Sequence, residues 1–169
     1  MSALGGVCYF DDGPVGDREM MVLRECLASR GPDGGREVRS GSVGVAYRAF
    51  HTNRESRLER QPLVSAEGII LAWDGRLDNR QELLRLLETD IRGCCTNAAI
   101  VMAAYRRWGT NCLTRLIGDF ALSVWDPATE NVLLARDPFG VRTLYYWWRS
   151  GRIVWSSALQ PLLRLIGNT

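Results

Sequence analysis

Two stretches in the C-terminal third limit the fold of this chain more than anything else in it. Residues 118–126 (GDFALSVWD) and 131–136 (NVLLAR) flank Asp126-Pro127-Ala128-Thr129, and residues 143–149 and 152–156 flank Ser150-Gly151. Short apolar and aromatic runs separated by such turn residues read as hairpins. Hairpins build antiparallel sheet, which argues against a doubly wound parallel architecture. Upstream, residues 3–10 read as a buried strand, 36–48 as a hairpin around Ser40-Gly41, and 68–74 as a strand broken by Asp74-Gly75. Helical spacing of Met20, Leu23 and Leu27 marks a helix over 17–29. A second helix (NRQELLRLLE) is expected to start from Asp78 as its cap. A third, over 97–108, has Thr96 as candidate N-cap and Gly109 as its stop. A last short helix follows from Leu159, while 30–35 and 51–61 read as loops. The order strands, helices, strands predicts an α+β fold in which helices cover mainly antiparallel sheets.

Composition narrows the chemistry. With 169 residues, 46% of them hydrophobic, the chain is read as one domain (1–169) with a real core. The apolar runs, such as Ile69–Trp73, are strand-sized, so no membrane span is expected. No secretory signal is expected either, since a basic start and a long apolar stretch are missing and Asp11-Asp12 follow early. All 21 basic residues are Arg, which excludes a phosphate-binding lysine, a Schiff-base lysine and a lysine base. The single histidine, His51, rules out a His-rich metal site, and a Ser-His-Asp triad would have to use it. A net charge of +2 gives no electrostatic case for nucleic acid. Cys8, Cys26, Cys94, Cys95 and Cys112 form neither CxxC nor an even framework, and are read as reduced thiols of a cytoplasmic protein.

The stretch ARDPFGVRTLYY (135–146) is the most distinctive. Physically it reads as a corner between strands, with an Arg136–Asp137 ion pair at its mouth and a buried Phe139, and it need carry no chemistry. Together with GDFALSVWD (118–126), WSSALQPLL (155–163), RGPDG (30–34), QPL (61–63), LAWDGRLDN (71–79) and NAAIVMAAYRRWG (97–109), it resembles the class II glutamine amidotransferase domain of the asparagine synthetase family. The resemblance covers essentially the whole chain. It implies the N-terminal nucleophile hydrolase fold, a four-layer αββα sandwich of two mainly antiparallel sheets. The activity it implies is that of a glutamine-hydrolysing asparagine synthase. There an N-terminal Cys, freed of Met, attacks glutamine with its own α-amine as base, and ammonia passes to an ATP-dependent synthetase domain. An α-amine suits that role because its reference pKa lies near working pH.

The site positions that the resemblance picks out are altered. The family start is similar to Met-Cys-Gly-Ile-Ala-Gly-Ile, and Ser2 stands in the nucleophile's place. Cys8 cannot move there without dragging the strand register, and is read as core. The family's Asn-Gly-Glu turn, which supplies oxyanion donors, reads Asp74-Gly75-Arg76; Gly75 still has its N–H, but Asp74 is acceptor-only. Asn97 matches the Asp that binds the substrate ammonium, and Arg48 matches the Arg that holds the substrate carboxylate. Asp74 and Arg76 are expected to pair with each other or with Arg48.

These changes imply a domain that no longer hydrolyses glutamine, as in the β-lactam synthetases and lasso-peptide cyclases of the same superfamily, where an amine within the substrate replaces ammonia. Two other readings stay open: an active N-terminal-Ser glutaminase or amidohydrolase, and a non-catalytic module binding a ligand or peptide. No cofactor is expected in this domain; ATP and Mg would belong to a synthetase domain, C-terminal or separate. Glutamine or a peptide is the expected ligand class, nucleic acid and membrane are not expected partners, and a homodimer is open.

Overall fold

A computed structural model describes residues 1–11, 13–52, 54–91 and 95–167. The predicted hairpins and helices are present. The chain runs β1 (Ala3–Tyr9), α1 (Asp17–Leu27), β2 (Gly35–Ser40), β3 (Val43–Arg48), β4 (Leu63–Val64), β5 (Ile70–Gly75), α2 (Arg80–Leu86), α3 (Asn97–Trp108), β6 (Phe120–Asp126), β7 (Asn131–Arg136), β8 (Tyr145–Arg149), β9 (Arg152–Ser156) and α4 (Leu159–Ile166). One sheet has the order β2-β3-β1-β9-β8 and the other β4-β5-β6-β7. Every pairing in both is antiparallel.

Three buried clusters make four layers. Leu4, Cys8, Val45, Tyr47, Ile70 and Trp155 pack between the sheets. Val7, Met20, Leu23, Ala46 and Val154 lie under α1 and α4, and Leu71, Trp73, Leu83, Val101 and Leu122 lie under α2 and α3. Strand alternation explains the sorting. On β5, Ile70 and Ala72 face the opposite sheet while Leu71 and Trp73 face the helices. Cys8 is a fully buried member of the inter-sheet layer, and burial pushes its thiol up to about 11.

Local chemistry sets the ends of the elements. Thr96 caps α3 by accepting the Ala99 N–H at 3.3 Å, and Gly109 ends that helix with φ 57°. Ser150 and Gly151 both take positive φ, the geometry of a two-residue hairpin turn that follows the twist of its strands. At Gly6 a Cβ would stand 2.2 Å from the Trp155 ring. Gly6→Ala is expected to lower stability by about 1–3 kcal/mol, read as a lower urea midpoint at unchanged slope.

Several expectations need correction. Asp78 does not cap α2: its carboxylate is taken by Arg76, and the helix starts at Arg80 after Asn79, whose side chain bonds Arg115 and Ile117. Phe139 is 91% exposed, since the corner turns its ring to solvent. Asp137 forms no ion pair with Arg136. It is buried and accepts four backbone N–H groups instead. The short β4 and the 3-10 turns Glu55–Leu58 and Gly109–Arg115 are additions to the elements expected. Cys8, Cys26 and Cys112 are buried free thiols, Cys95 is exposed, and Cys94 lies outside the described residues. Among the described residues no helix is long and apolar enough to cross a membrane.

Candidate functional site

The two sheets part at one end, where β1 begins and β5 finishes. A cavity of about 410 Å³ opens there, and Ser2, Tyr47, Asp74, Gly75, Asn97 and Arg142 are among its walls. Parity places them. Ser2 continues the face of Leu4, Asp74 that of Ile70 and Ala72, and Tyr47 that of Val43 and Val45. All three therefore turn into the space between the sheets.

Parity also moves Arg48 out. One residue past Tyr47 on β3, it points to the opposite face, where its guanidinium donates to the Arg24 carbonyl and lies against Gly35. Arg48 is not among the residues lining the cavity, so the expectation that it holds a substrate carboxylate there is corrected.

Ser2 is half-buried, and its Oγ accepts the Phe50 N–H at 3.0 Å. Asp74 is 8% exposed. Burial pushes its carboxyl above the usual range, opposed by Arg142, by the N-terminal ammonium and by the Ser2 N–H. Its ion-pair partner is Arg142 at 3.6 Å. Arg76 instead chelates Asp78, at 2.6 and 3.1 Å, and lies 3.4 Å from Asp119. The expected pairing of Asp74 with Arg76 or Arg48 is thus replaced by Asp74–Arg142, because the Arg76 guanidinium is held at the rim by Asp78 and Asp119.

Arg142 comes from the stretch that looked purely structural. Asp137 accepts the backbone N–H groups of Phe139, Val141 and Arg142, each at 3.1 Å, which folds the corner so that the Arg142 side chain reaches Asp74. The stretch 135–146, expected to be a structural corner, thus also supplies a wall residue of the cavity. Asn97, at the first turn of α3, accepts from Arg80 at 2.8 Å, and Arg80 also donates to the Cys95 carbonyl. Glu59 enters from the 51–61 loop and accepts the Ala98 N–H at 3.2 Å and the Gln61 amide at 3.0 Å. Gln61 in turn bonds both the N–H and the carbonyl of Trp73, next to Asp74. Sequence patterns single out neither Glu59, Arg80 nor Arg142. Tyr47 was legible in principle from the parity of Val43 and Val45.

A glutamine amidotransferase domain model matches residues 1–168. The chain belongs to the glutamine amidotransferase domain family. This domain is 32% identical over 172 residues to a Mycobacterium tuberculosis protein assigned as a glutamine-hydrolysing asparagine synthetase, covering 91% of this chain and 26% of that protein. It is 26% identical over 145 residues to the glutamine-hydrolysing asparagine synthetase 2 of Bacillus subtilis, covering 83% of this chain and 19% of that one. The amidotransferase domain thus spans about a quarter or less of these two relatives. In structure it superposes on the glutamine phosphoribosylpyrophosphate amidotransferase of B. subtilis with a TM-score of 0.78 at 19% identity, covering 98% of this chain and 43% of that one. That likeness establishes the α+β sandwich fold.

Within the amidotransferase fold, the predicted site residues Ser2, Asp74, Gly75, Arg76 and Asn97 line one cavity and Arg48 does not. The cavity contains a hydroxyl, but the strand end beside it presents a carboxylate rather than an amide. Among the described residues no group of His, Cys, Asp and Glu is gathered to hold a metal ion.

Proposed function

We propose that this chain is the amidotransferase-type domain of an asparagine-synthetase-like, amide-forming enzyme, and that its own site does not hydrolyse glutamine. The observation that carries the reading is Asp74: a buried carboxylate facing Ser2 and paired with Arg142. In acyl transfer the carbonyl oxygen becomes an anion, and preorganised donors must face it. An acceptor-only group held there repels that charge in surroundings of low dielectric. Three further features support the reading. Ser2 Oγ already accepts the Phe50 N–H, Asn97 carries no charge and is engaged by Arg80, and Arg48 is on the other face of the sheet.

An enzyme of the β-lactam synthetase or lasso-peptide cyclase type fits a silent first domain, because the attacking amine lies within its substrate and no ammonia is needed. ATP and magnesium would be handled by a partner synthetase domain, with the whole working in the cytoplasm. The test is ammonia release from glutamine. The wild-type chain is expected to match buffer; release that disappears in Ser2→Ala overturns the proposal.

A further inference from the structure

The two edges of the five-stranded sheet are finished differently. β2 (GREVRS) carries Arg36, Glu37 and Arg39, and charges of this kind keep an edge strand solvated. β8 (YYWWR) lies at the other edge and has four aromatic residues in a row. The usual protections are missing from it: residues 144–148 (LYYWW) contain no charge and no proline. Tyr146 is 68% and Trp148 57% exposed, and Phe10 extends the patch with its ring centroid 5.0 Å from that of Trp148.

Backbone geometry makes this edge open to pairing. Arg149 and Arg152 flank the two-residue turn at Ser150-Gly151 and pair across it. Such a closing pair exchanges both of its backbone hydrogen bonds, and the pattern then alternates along the ladder. Arg149, Trp147 and Tyr145 therefore turn their N–H and C=O groups to β9. Tyr146 and Trp148 turn theirs away, where β8 has no neighbouring strand in the sheet.

The strand also fits its own reverse. In an antiparallel pairing of two β8 strands centred on Trp147, every residue from Tyr145 to Arg149 finds a partner. Tyr146 meets Trp148 of the partner subunit, and both have outward backbone groups, so each such pair exchanges two backbone bonds. On the opposite face Tyr145 meets Arg149 of the partner subunit, a guanidinium against an aromatic ring, and the like charges are kept apart. Registers centred elsewhere leave part of the strand unpaired.

We infer that β8 is the contact between two copies of this chain, joined about a two-fold axis at Trp147 into one continuous sheet. Aromatic side chains bury about 150–250 Å² each, so the exposed parts of Phe10, Tyr145, Tyr146 and Trp148 offer on the order of 400 Å² per copy. The total for two copies, about 800 Å², is below the ~1,200 Å² of standard interfaces and sets the dimer in the weak, concentration-dependent class. The contact lies on a sheet edge and does not depend on whether the cavity turns over glutamine.

Sedimentation equilibrium of the 169-residue chain, from micromolar to near-millimolar concentration, is expected to show the mass rising from one chain toward two. Tyr146→Pro removes an outward N–H and a ring but no bond to β9, and proline is tolerated on strand edges. It is expected to raise the dissociation constant about tenfold or more, with circular dichroism checking the fold. Cross-linking reads the register, and decides the matter should that variant fail to fold. Tyr145→Cys and Arg149→Cys are mixed and oxidised. Antiparallel pairs without backbone bonds bring their Cα atoms ~4.5 Å apart, within disulfide reach. A disulfide joining the two introduced thiols, identified by peptide mass, is expected in the mixture above the linkage that either variant shows alone through its native cysteines. A single-chain mass at every concentration, association unmoved by folded Tyr146→Pro, or a mixture that links no more than either variant alone overturns the inference.

Discussion

Replacing Asp137 by alanine is expected to cost the fold about 3 kcal/mol, seen as a large drop in the urea midpoint. Asp137 is 2% exposed, and its two oxygens accept the N–H groups of Phe120, Phe139, Val141 and Arg142 at 3.1–3.3 Å. Alanine leaves four donors without their acceptor, two on Oδ1 and two on Oδ2, and frees the corner that aims Arg142. Hydrogen bonds to a charged group each carry more than neutral ones, so even partial rescue by water leaves a substantial loss. The pH dependence gives a second reading. Burial pushes the Asp137 carboxyl up, but the four donors outweigh it and hold the group below the ordinary carboxylate range. A depressed folded pKa stabilises above the unfolded value, and that stabilisation is lost as pH falls through the folded one. Wild type and Asp137→Ala are therefore expected to converge in strong acid and to differ most above the ordinary Asp range. A constant difference across that span would mean that Asp137 acts without its charge.

The second large effect is catalytic. Ser2→Cys alone is expected to leave ammonia release at background, whereas Ser2→Cys with Asp74→Asn is expected to exceed it by ~10²-fold or more. The cysteine supplies the better nucleophile, but the Asp74 carboxylate still opposes the developing oxyanion. The asparagine removes that charge and returns an amide donor to the same strand end, on the face that β5 turns toward Ser2. Intact mass establishes that Met1 has been removed in each variant, and circular dichroism that Arg142 tolerates the loss of its acid. Activity in Ser2→Cys alone would show that Asp74 is not the obstacle.

Much of the architecture is legible in the sequence because it rests on short-range patterns. Turn residues at 126–129 and 150–151, helical spacing in 17–27 and a Thr-to-Gly frame around 97–108 each act within a few residues, and the structure keeps them. The errors come from side chains that had more than one partner available. Asp78 looks like a cap but is taken by Arg76 across two residues. Arg136 and Asp137 are neighbours, yet the buried carboxylate prefers four N–H donors of its own corner and the Phe120 strand. Ser2 and Asp74 were picked out by the resemblance, and strand parity accounts for both turning inward. The same parity sends Arg48 outward, so the error there lay in carrying over a family role without following the alternation from Tyr47. Glu59 and Arg142 were not legible, because each reaches the cavity from a loop whose path is set by tertiary hydrogen bonds.

A single side chain finishes the free edge of β5. β4 pairs with only Ile70 and Leu71 of β5, and beyond it the Gln61 side chain bonds both backbone groups of Trp73. A primary amide, with one donor end and one acceptor end, thus imitates a residue of a neighbouring strand. Exposed strand edges invite other chains to add to the sheet, and proteins blunt them by various covers. Here the cover is one glutamine long, and it is buried. Gln61 is itself 2% exposed, so Gln61→Leu would do more than weaken a contact: it would leave the N–H and carbonyl of Trp73 buried without partners, next to the Asp74 wall of the cavity.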